Sequence, residues 1–265
     1  MGGNTDRNLV ERLSWNDVRL RIGNGAAAIL PIGAAAKQHG FHLPMNTDRI
    51  QAEWLAARIA DRIDALVWPG VVYGYYPAFA EYAGSAGLSA PVFEAMIEEL
   101  ARAIAGFGCR ALFVLDTGIS TIAPVDRALA RLDAGNVLHL KIHQGPRYRR
   151  AAAELAEQSH GSHADELETS LMLALAPDLV DMSRAEASLS AKVETPGRLT
   201  PTDKSSPNYS RSGSYGDPTL ATHAKGQILL AAMVDDLAEQ VTAFLPGTIP
   251  AKNRSSEIKH QSAST

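Results

Sequence analysis

Two histidines and an aspartate stand within ten residues of one another between positions 37 and 48. His39, His42 and Asp48 lie in a polar stretch that contains glycine and follows an apolar run. Imidazole and carboxylate groups are the usual protein ligands of zinc, manganese and iron. The segment therefore indicates a candidate metal site. The residues alone also allow a polar loop in which the histidines bond the backbone and Asp48 caps a helix.

A second group of ionisable residues opens an apolar helical pattern at positions 161–170. Asp165, Glu166 and Glu168 fall in the expected first turn, where the helix dipole favours negative charge without any catalytic role. His163 and Glu166 are three positions apart, so they could also serve one site from the start of the helix. The pattern leaves both explanations open.

Four apolar runs alternate with helical patterns along the chain. The runs span residues 26–33, 65–69, 111–115 and 137–142. Helices are predicted to begin near 48 and 89, and to span about 121–133, 166–176 and 222–245. This alternation predicts an α/β fold with three layers, in which helices flank a mostly parallel central sheet. Ligands of such sheets bind at the carboxyl ends of the strands, where the 37–48 segment and a short polar loop at 116–121 are expected.

Composition limits the class of protein. The 265-residue chain is long enough for a large core without cross-links, and its one cysteine excludes an intrachain disulfide. A net charge of −4, spread along the chain, argues against nucleic acid as a partner. No apolar stretch suits a membrane span or a signal peptide, so we expect a cytoplasmic protein. We expect one domain over residues 1–250, with an extended surface segment at about 192–218, and a disordered tail over 251–265.

Two segments together resemble the creatininase family of metal-dependent amidohydrolases. The first family segment reads roughly P-x-G-x-x-E-Q-H-G-x-H-L-P-x-x-x-D, and the chain matches it at Pro31, Gly33, Gln38, His39, Gly40, His42, Leu43, Pro44 and Asp48. The second reads H-x-G-E-x-E-T-S followed by M-L-x-L-x-P-x-L-V, and the matches are His163, Glu166, Glu168, Thr169, Ser170, Met172, Leu173, Leu175, Pro177, Leu179 and Val180. The resemblance covers about residues 14–245 and implies a metal-dependent hydrolase with the creatininase-like α/β fold.

Two positions depart from the family pattern, and both belong to the same ion of the family's two-metal site. Lys37 stands where the family has glutamate, with one extra residue ahead of the histidine, and Gly118 stands where the family has a second histidine. The resemblance therefore implies that one ion is lost. The other ion would be held by His39, Asp48 and Glu166, with zinc preferred and manganese or iron as alternatives.

The implied reaction is hydrolysis of a small cyclic amide or related carbonyl compound by one metal-activated water. His163 is the implied general acid or base. Lys37 could replace the lost positive charge and pair with Asp48. It could also polarise a carbonyl group or act as a base, and the alternative for this side chain is simple exposure to solvent. The expected substrate-binding residues are Tyr75, Ser85, Asp116 and His143.

Two further functions stay open from the sequence. Some members of the family cleave a carbon–carbon bond in a cyclic diketone, which needs the same activated water. Loss of two ligands also allows a metal-free binding protein on the same scaffold. In each case the partner is a small molecule, and the family resemblance implies a homo-oligomer, namely a hexamer.

Overall fold

Four parallel strands form the central sheet of the part of the chain that the structure describes. The structure is a computed structural model, and it describes residues 6–132, 134–188 and 198–245. The strands are β1 (Ala27–Ile32), β2 (Ala65–Val67), β3 (Leu112–Asp116) and β4 (Val137–Lys141), in the order β2-β1-β3-β4. The predicted strands are confirmed to within two residues at each end.

Burial on both faces of the sheet explains why the strands are continuous apolar runs. Every residue of β1 is buried, and alternate side chains point to opposite faces. Ile29 joins a core cluster with Leu55 and Leu229, whereas Leu30 joins a second cluster with Phe93 on the other side. The predicted three-layer α/β arrangement is therefore confirmed.

Seven α-helices cover the sheet in the described residues. They are α1 (Trp15–Gly23), α2 (Thr47–Ile63), α3 (Ala90–Gly106), α4 (Ile122–Leu129), α5 (Pro146–Leu155), α6 (Glu166–Leu175) and α7 (His223–Phe244). Residues of α2, α6 and α7 belong to the first core cluster, and residues of α3 and α4 belong to the second. The sequence did not predict α1 or α5. α1 buries no residue, and α5 buries only Tyr148, although Ala151, Ala152 and Leu155 pack partly buried against the first cluster.

The segment expected at 192–218 is described from residue 198 onward, and it does more than cross the surface. Ser210, Ser212 and Ser214 are buried, and the carbonyl of Gly213 accepts a hydrogen bond of 2.9 Å from the side chain of Gln38. This part of the segment therefore packs against the loop that carries the first candidate site, while residues 202–205 are exposed. Its first residues, the tail predicted at 251–265, and residues 1–5 and 246–250 lie outside the described residues.

No α-helix among the described residues combines the length and the apolar character needed to span a membrane.

Candidate active site

A lysine and a histidine from the loop after β1 share one carboxylate. Asp48 lies in the first turn of α2, where its Oδ2 atom is 2.7 Å from Nζ of Lys37 and its Oδ1 atom is 3.1 Å from Nε2 of His39. All three side chains are buried. Burial alone would raise the pKa of the Asp48 carboxyl, but Lys37 and His39 outweigh it and hold this pKa well below its usual range. Lys37 is therefore part of a buried ion pair, and the alternative of a solvent-facing lysine is wrong.

Backbone contacts fix the orientation of the His39 ring. Its Nδ1 atom is 2.9 Å from the carbonyl oxygen of Lys37, and a carbonyl only accepts, so Nδ1 carries the proton and donates. Its Nε2 atom then faces Oδ1 of Asp48 at 3.1 Å and Oε1 of Glu168 at 3.7 Å. Metal-binding histidines commonly donate from one ring nitrogen to a carbonyl while the other nitrogen faces the ion. His39 has this arrangement, with Nδ1 bound to the carbonyl and Nε2 facing the two carboxylates.

His163 is oriented in the same way from the opposite side. Its Nε2 atom donates to the carbonyl oxygen of Gln38 at 2.8 Å, and its Nδ1 atom lies 3.7 Å from Oε2 of Glu168. Burial, together with the Lys37 ammonium and His39, lowers the pKa of His163 well below its usual value. The ring is therefore neutral at physiological pH, with a lone pair on Nδ1 that faces Glu168.

Glu168 connects the two histidines from the first turn of α6. Asp165 caps this helix by accepting from the backbone amides of Leu167 and Glu168, and Oε2 of Glu168 accepts from the amide of Ala164 at 2.6 Å. One ligand atom from each of His39, His163 and Glu168 lies within 4.8 Å of the other two. Two imidazole nitrogens and a carboxylate that converge in this way match the donor set of a zinc, manganese or iron site.

Glu166 does not reach this cluster. Its carboxylate accepts from Nζ of Lys225 at 2.5 Å and from the backbone amides of Glu157 and Gln158. Residues two apart on an α-helix point in nearly opposite directions, because each residue turns by about 100°. The expected grouping of Glu166 with His39 is therefore not found, and Glu168 is the carboxylate that faces His39.

A small cavity of about 20 Å³ lies beside the cluster and is large enough for one water molecule. Lys37, Asp48 and Asp116 are among its lining residues. Asp116 ends β3, where its Oδ1 atom accepts from the hydroxyl of Thr121 at 2.7 Å and its Oδ2 atom is 3.3 Å from Nε2 of His139. The structure thus brings Asp116 into the same cavity as Lys37 and Asp48.

The other three expected substrate-binding residues contact loops near the cluster and do not line this cavity. The hydroxyl of Ser85 accepts from the backbone amide of Gln38, and the carbonyl of Tyr75 accepts from Ser120. Nε2 of His143 lies 3.2 Å from the carbonyl oxygen of Thr117, and burial lowers the pKa of this imidazole. In this structure these contacts hold the loops in place.

His42 is separate from the cluster as well. Its Nε2 atom is 2.8 Å from the hydroxyl of Thr169, and the ring is buried. By contrast, sequence reasoning missed Phe79, whose ring centroid lies 4.1 Å from that of His163. No pattern in the sequence could have found it, because Phe79 stands 84 positions from its partner in a segment without any chemical motif.

The fold is that of an α/β protein with a parallel sheet. The cluster at the carboxyl ends of its strands has the donor groups of a metal site. The chain belongs to the creatininase family, because the family model described as creatinine amidohydrolase matches residues 11–241. It is 27% identical over 261 residues to the creatinine amidohydrolase of Pseudomonas putida, covering 90% of this chain and 98% of that protein. It is 28% identical to the mycofactocin precursor peptide peptidase of Mycobacterium ulcerans (strain Agy99), covering 83% of this chain and 86% of that protein.

Solved structures agree with this assignment. The manganese form of creatininase superposes with a TM-score of 0.75 at 27% identity, covering 90% of this chain and 99% of that one. A zinc–zinc form of a creatininase mutant gives a TM-score of 0.74 at 27% identity, covering 90% and 98%. The family is thus one of metal-dependent hydrolases, and the names of its members include an amidohydrolase and a peptidase.

Proposed function

We propose that this chain is a metal-dependent hydrolase that cleaves a small cyclic amide or a related carbonyl compound. The observation that carries the proposal is the convergence of two carboxylates on Nε2 of His39, with Oδ1 of Asp48 at 3.1 Å and Oε1 of Glu168 at 3.7 Å. A ring nitrogen of His163 lies within 4.8 Å of the ligand atoms of His39 and Glu168. The named relatives support amide cleavage, since an amidohydrolase and a peptidase both hydrolyse amide bonds. None of them is named for cleavage of a carbon–carbon bond, so the cyclic diketone is the less supported alternative.

One divalent ion fits the residues present, with zinc preferred and manganese or iron as alternatives. His39, Asp48 and Glu168 would hold it, with Glu168 replacing Glu166 in the ligand set that the sequence implied. The charges favour a single ion, because Lys37 already neutralises one of the two carboxylates. When bound, such an ion lowers the pKa of water and polarises a carbonyl group.

His163 is the proposed proton acceptor. Its Nδ1 lone pair faces the cluster, its other nitrogen is fixed by the carbonyl of Gln38, and its lowered pKa keeps it neutral and able to accept. Oε2 of Glu168, 3.7 Å from Nδ1, stabilises the imidazolium that forms when the proton arrives. The same proton is then available for the leaving nitrogen.

The proposed role of Lys37 is to donate a hydrogen bond from its ammonium to the carbonyl oxygen of the substrate. Its ammonium carries three N–H donors, of which Asp48 accepts one, and the side chain lines the small cavity. An N–H of Lys37 that points into this cavity would stabilise negative charge on the substrate oxygen. Asp116 shares the cavity and is the best placed of the four expected substrate-binding residues, while Tyr75, Ser85 and His143 position the surrounding loops.

A metal-free binding protein is the second candidate, and the 2.7 Å pair between Lys37 and Asp48 is the observation that favours it. In this case the protein's own ammonium would take the place of a metal cation, and the cluster would bind a small molecule without hydrolysis.

Metal analysis of full-length protein purified without chelator separates the two candidates. We expect about one equivalent of zinc, manganese or iron per chain, and loss of amide hydrolysis after dialysis against chelator. Lys37→Met should retain the equivalent and lose most of the activity. Two equivalents would contradict the single-ion site, and no bound metal with intact ligand binding would favour the binding protein.

A further inference from the structure

The ring of Phe79 covers the two side chains that the proposed reaction uses for proton transfer and charge stabilisation. Its centroid lies 4.1 Å from the ring centroid of His163, with 34° between the two planes, and 5.3 Å from Nζ of Lys37. His163 and Lys37 are buried, whereas Phe79 is half-buried. Phe79 therefore lies between solvent and the cluster.

The backbone that carries Phe79 is held on several sides. The hydroxyl of Tyr76 donates to the carbonyl of Ala86 at 2.6 Å, and the hydroxyl of Tyr82 donates to the carbonyl of Ser210 at 2.7 Å. The amide of Leu199 donates to the carbonyl of Ala78, next to Phe79, at 2.9 Å. Because these bonds fix the segment, the part that can move is the Phe79 side chain, which turns about its own two rotatable bonds.

We propose that Phe79 is a specificity-determining cover, and that the substrate takes the place of its ring against His163. The inference rests on the proposed function, whose cyclic amide it places in stacking contact with His163. The position vacated by the ring has the flat face of His163 as its floor, and the His39 ring centroid lies 4.8 Å from that of His163. A flat ring stacks on this floor. The Lys37 ammonium, which lies over the face of the Phe79 ring, then faces the stacked ring and donates to its carbonyl oxygen.

The cover lowers the apparent affinity of the wild-type protein for its ligand. In the wild-type protein a ligand binds only after the Phe79 ring has turned away, so its apparent affinity is reduced by the fraction of molecules that are open. Phe79→Ala removes that cost and should bind the ligand more tightly. A residue that serves as a stacking platform would behave in the opposite way, because its removal weakens binding.

Access to His163 tests the cover without any need for metal or turnover. The rate of His163 modification by diethyl pyrocarbonate, read by mass spectrometry of the metal-free full-length protein, should rise about tenfold or more in Phe79→Ala, since minor open states are typically populated at about 0.1–10%. Phe79→Leu should stay near the wild-type rate. Tyr73→Ala, which removes an exposed aromatic side chain six positions earlier in the chain, is the matched control and should not change the rate. An unchanged rate in Phe79→Ala would overturn the proposal.

Ligand binding tests whether a flat ring takes the place of the Phe79 ring. Calorimetric titration should show that hydantoin, a planar cyclic amide, binds Phe79→Ala several-fold more tightly than it binds the wild-type protein. Piperidin-2-one, which is puckered, should bind both proteins more weakly. Weaker binding of hydantoin by the variant, or no preference for the planar ring, would overturn the proposal. Failure of the metal analysis alone would not, because neither measurement depends on a bound ion.

Discussion

Asp48 and Glu168 are two carboxylates beside the same imidazole, but only one of them is paired with a protein cation. Lys37 neutralises Asp48, whereas the ion-pair contacts of Glu168 within the described part of the chain are with the rings of His39 and His163. The His163 ring is neutral, so it adds no positive charge. This local excess of negative charge is the physical reason to expect a bound cation.

Single substitutions should separate ligands from supporting residues. His39→Ala and Glu168→Gln should each abolish metal retention, measured by elemental analysis after gel filtration, and leave the fold intact because the large core does not depend on the ion. Glu166→Gln should keep the ion. It should lower the free energy of unfolding by about 1–3 kcal/mol, because it disrupts a buried ion pair with Lys225. Retention of metal by Glu168→Gln together with loss by Glu166→Gln would contradict this assignment.

His42 should contribute to loss of stability in acid. Burial lowers the pKa of its ring from 6.5 to about 4, so the folded protein resists a proton that the unfolded chain accepts. Stability should therefore fall as pH drops below about 6.5, with a slope from this one residue of up to about 1.4 kcal/mol per pH unit until pH approaches 4. Urea unfolding of wild type and His42→Gln between pH 7 and pH 4 measures the difference. Equal slopes in the two proteins would show that His42 is not the cause.

At the scale of elements, the close approach of α6 and α7 sets the position of Glu168. Gly226 of α7 faces the backbone of Ser170 in α6, and a Cβ atom at Gly226 would overlap the Ser170 carbonyl oxygen. The amide of Thr222, the N-cap of α7, also donates to the hydroxyl of Ser170. The start of α6, and with it Glu168, is thus fixed by the helix behind it.

Gly226→Ala should destabilise the protein by about 1–3 kcal/mol or more, because the extra carbon must push the two helices apart. Gly106→Ala is the matched control, since Gly106 is also helical but a Cβ atom there would have open space around it out to 4 Å. The control should be neutral or stabilising by up to about 1 kcal/mol. Thermal and urea unfolding of both variants measures these effects, and similar losses in the two would argue against close helix packing as the cause.

At the scale of the whole molecule, we expect a closed homo-oligomer, and the family resemblance implies a hexamer. Several large apolar side chains are exposed on the single chain, among them Trp15 at 78% and Phe107 at 63%. Light scattering of the purified protein should therefore give about six times the chain mass of 28.3 kDa. A particle of the single-chain mass at micromolar concentration would refute this expectation.

The class of fold, the four strands and the loops that carry chemistry could all be predicted from the amino-acid sequence. Strand and helix periodicity, together with glycine and proline at the ends, are properties of neighbouring residues, so they can be read along the chain. The pairing of His39 with Asp48 could be expected for the same reason, since nine positions and one turn of α2 separate them. α1 and α5 were not predicted from the sequence; in the structure α1 buries no residue and α5 buries only Tyr148.

Which side chains meet was decided by long-range packing. The fold placed Glu168 and not Glu166 beside His39, because the rotation of α6 about its own axis is set by its packing on α7. It buried Lys37 against Asp48 and brought Phe79 over His163 from a segment far away in the chain. The direction of a side chain depends on contacts with distant elements, which no local pattern encodes.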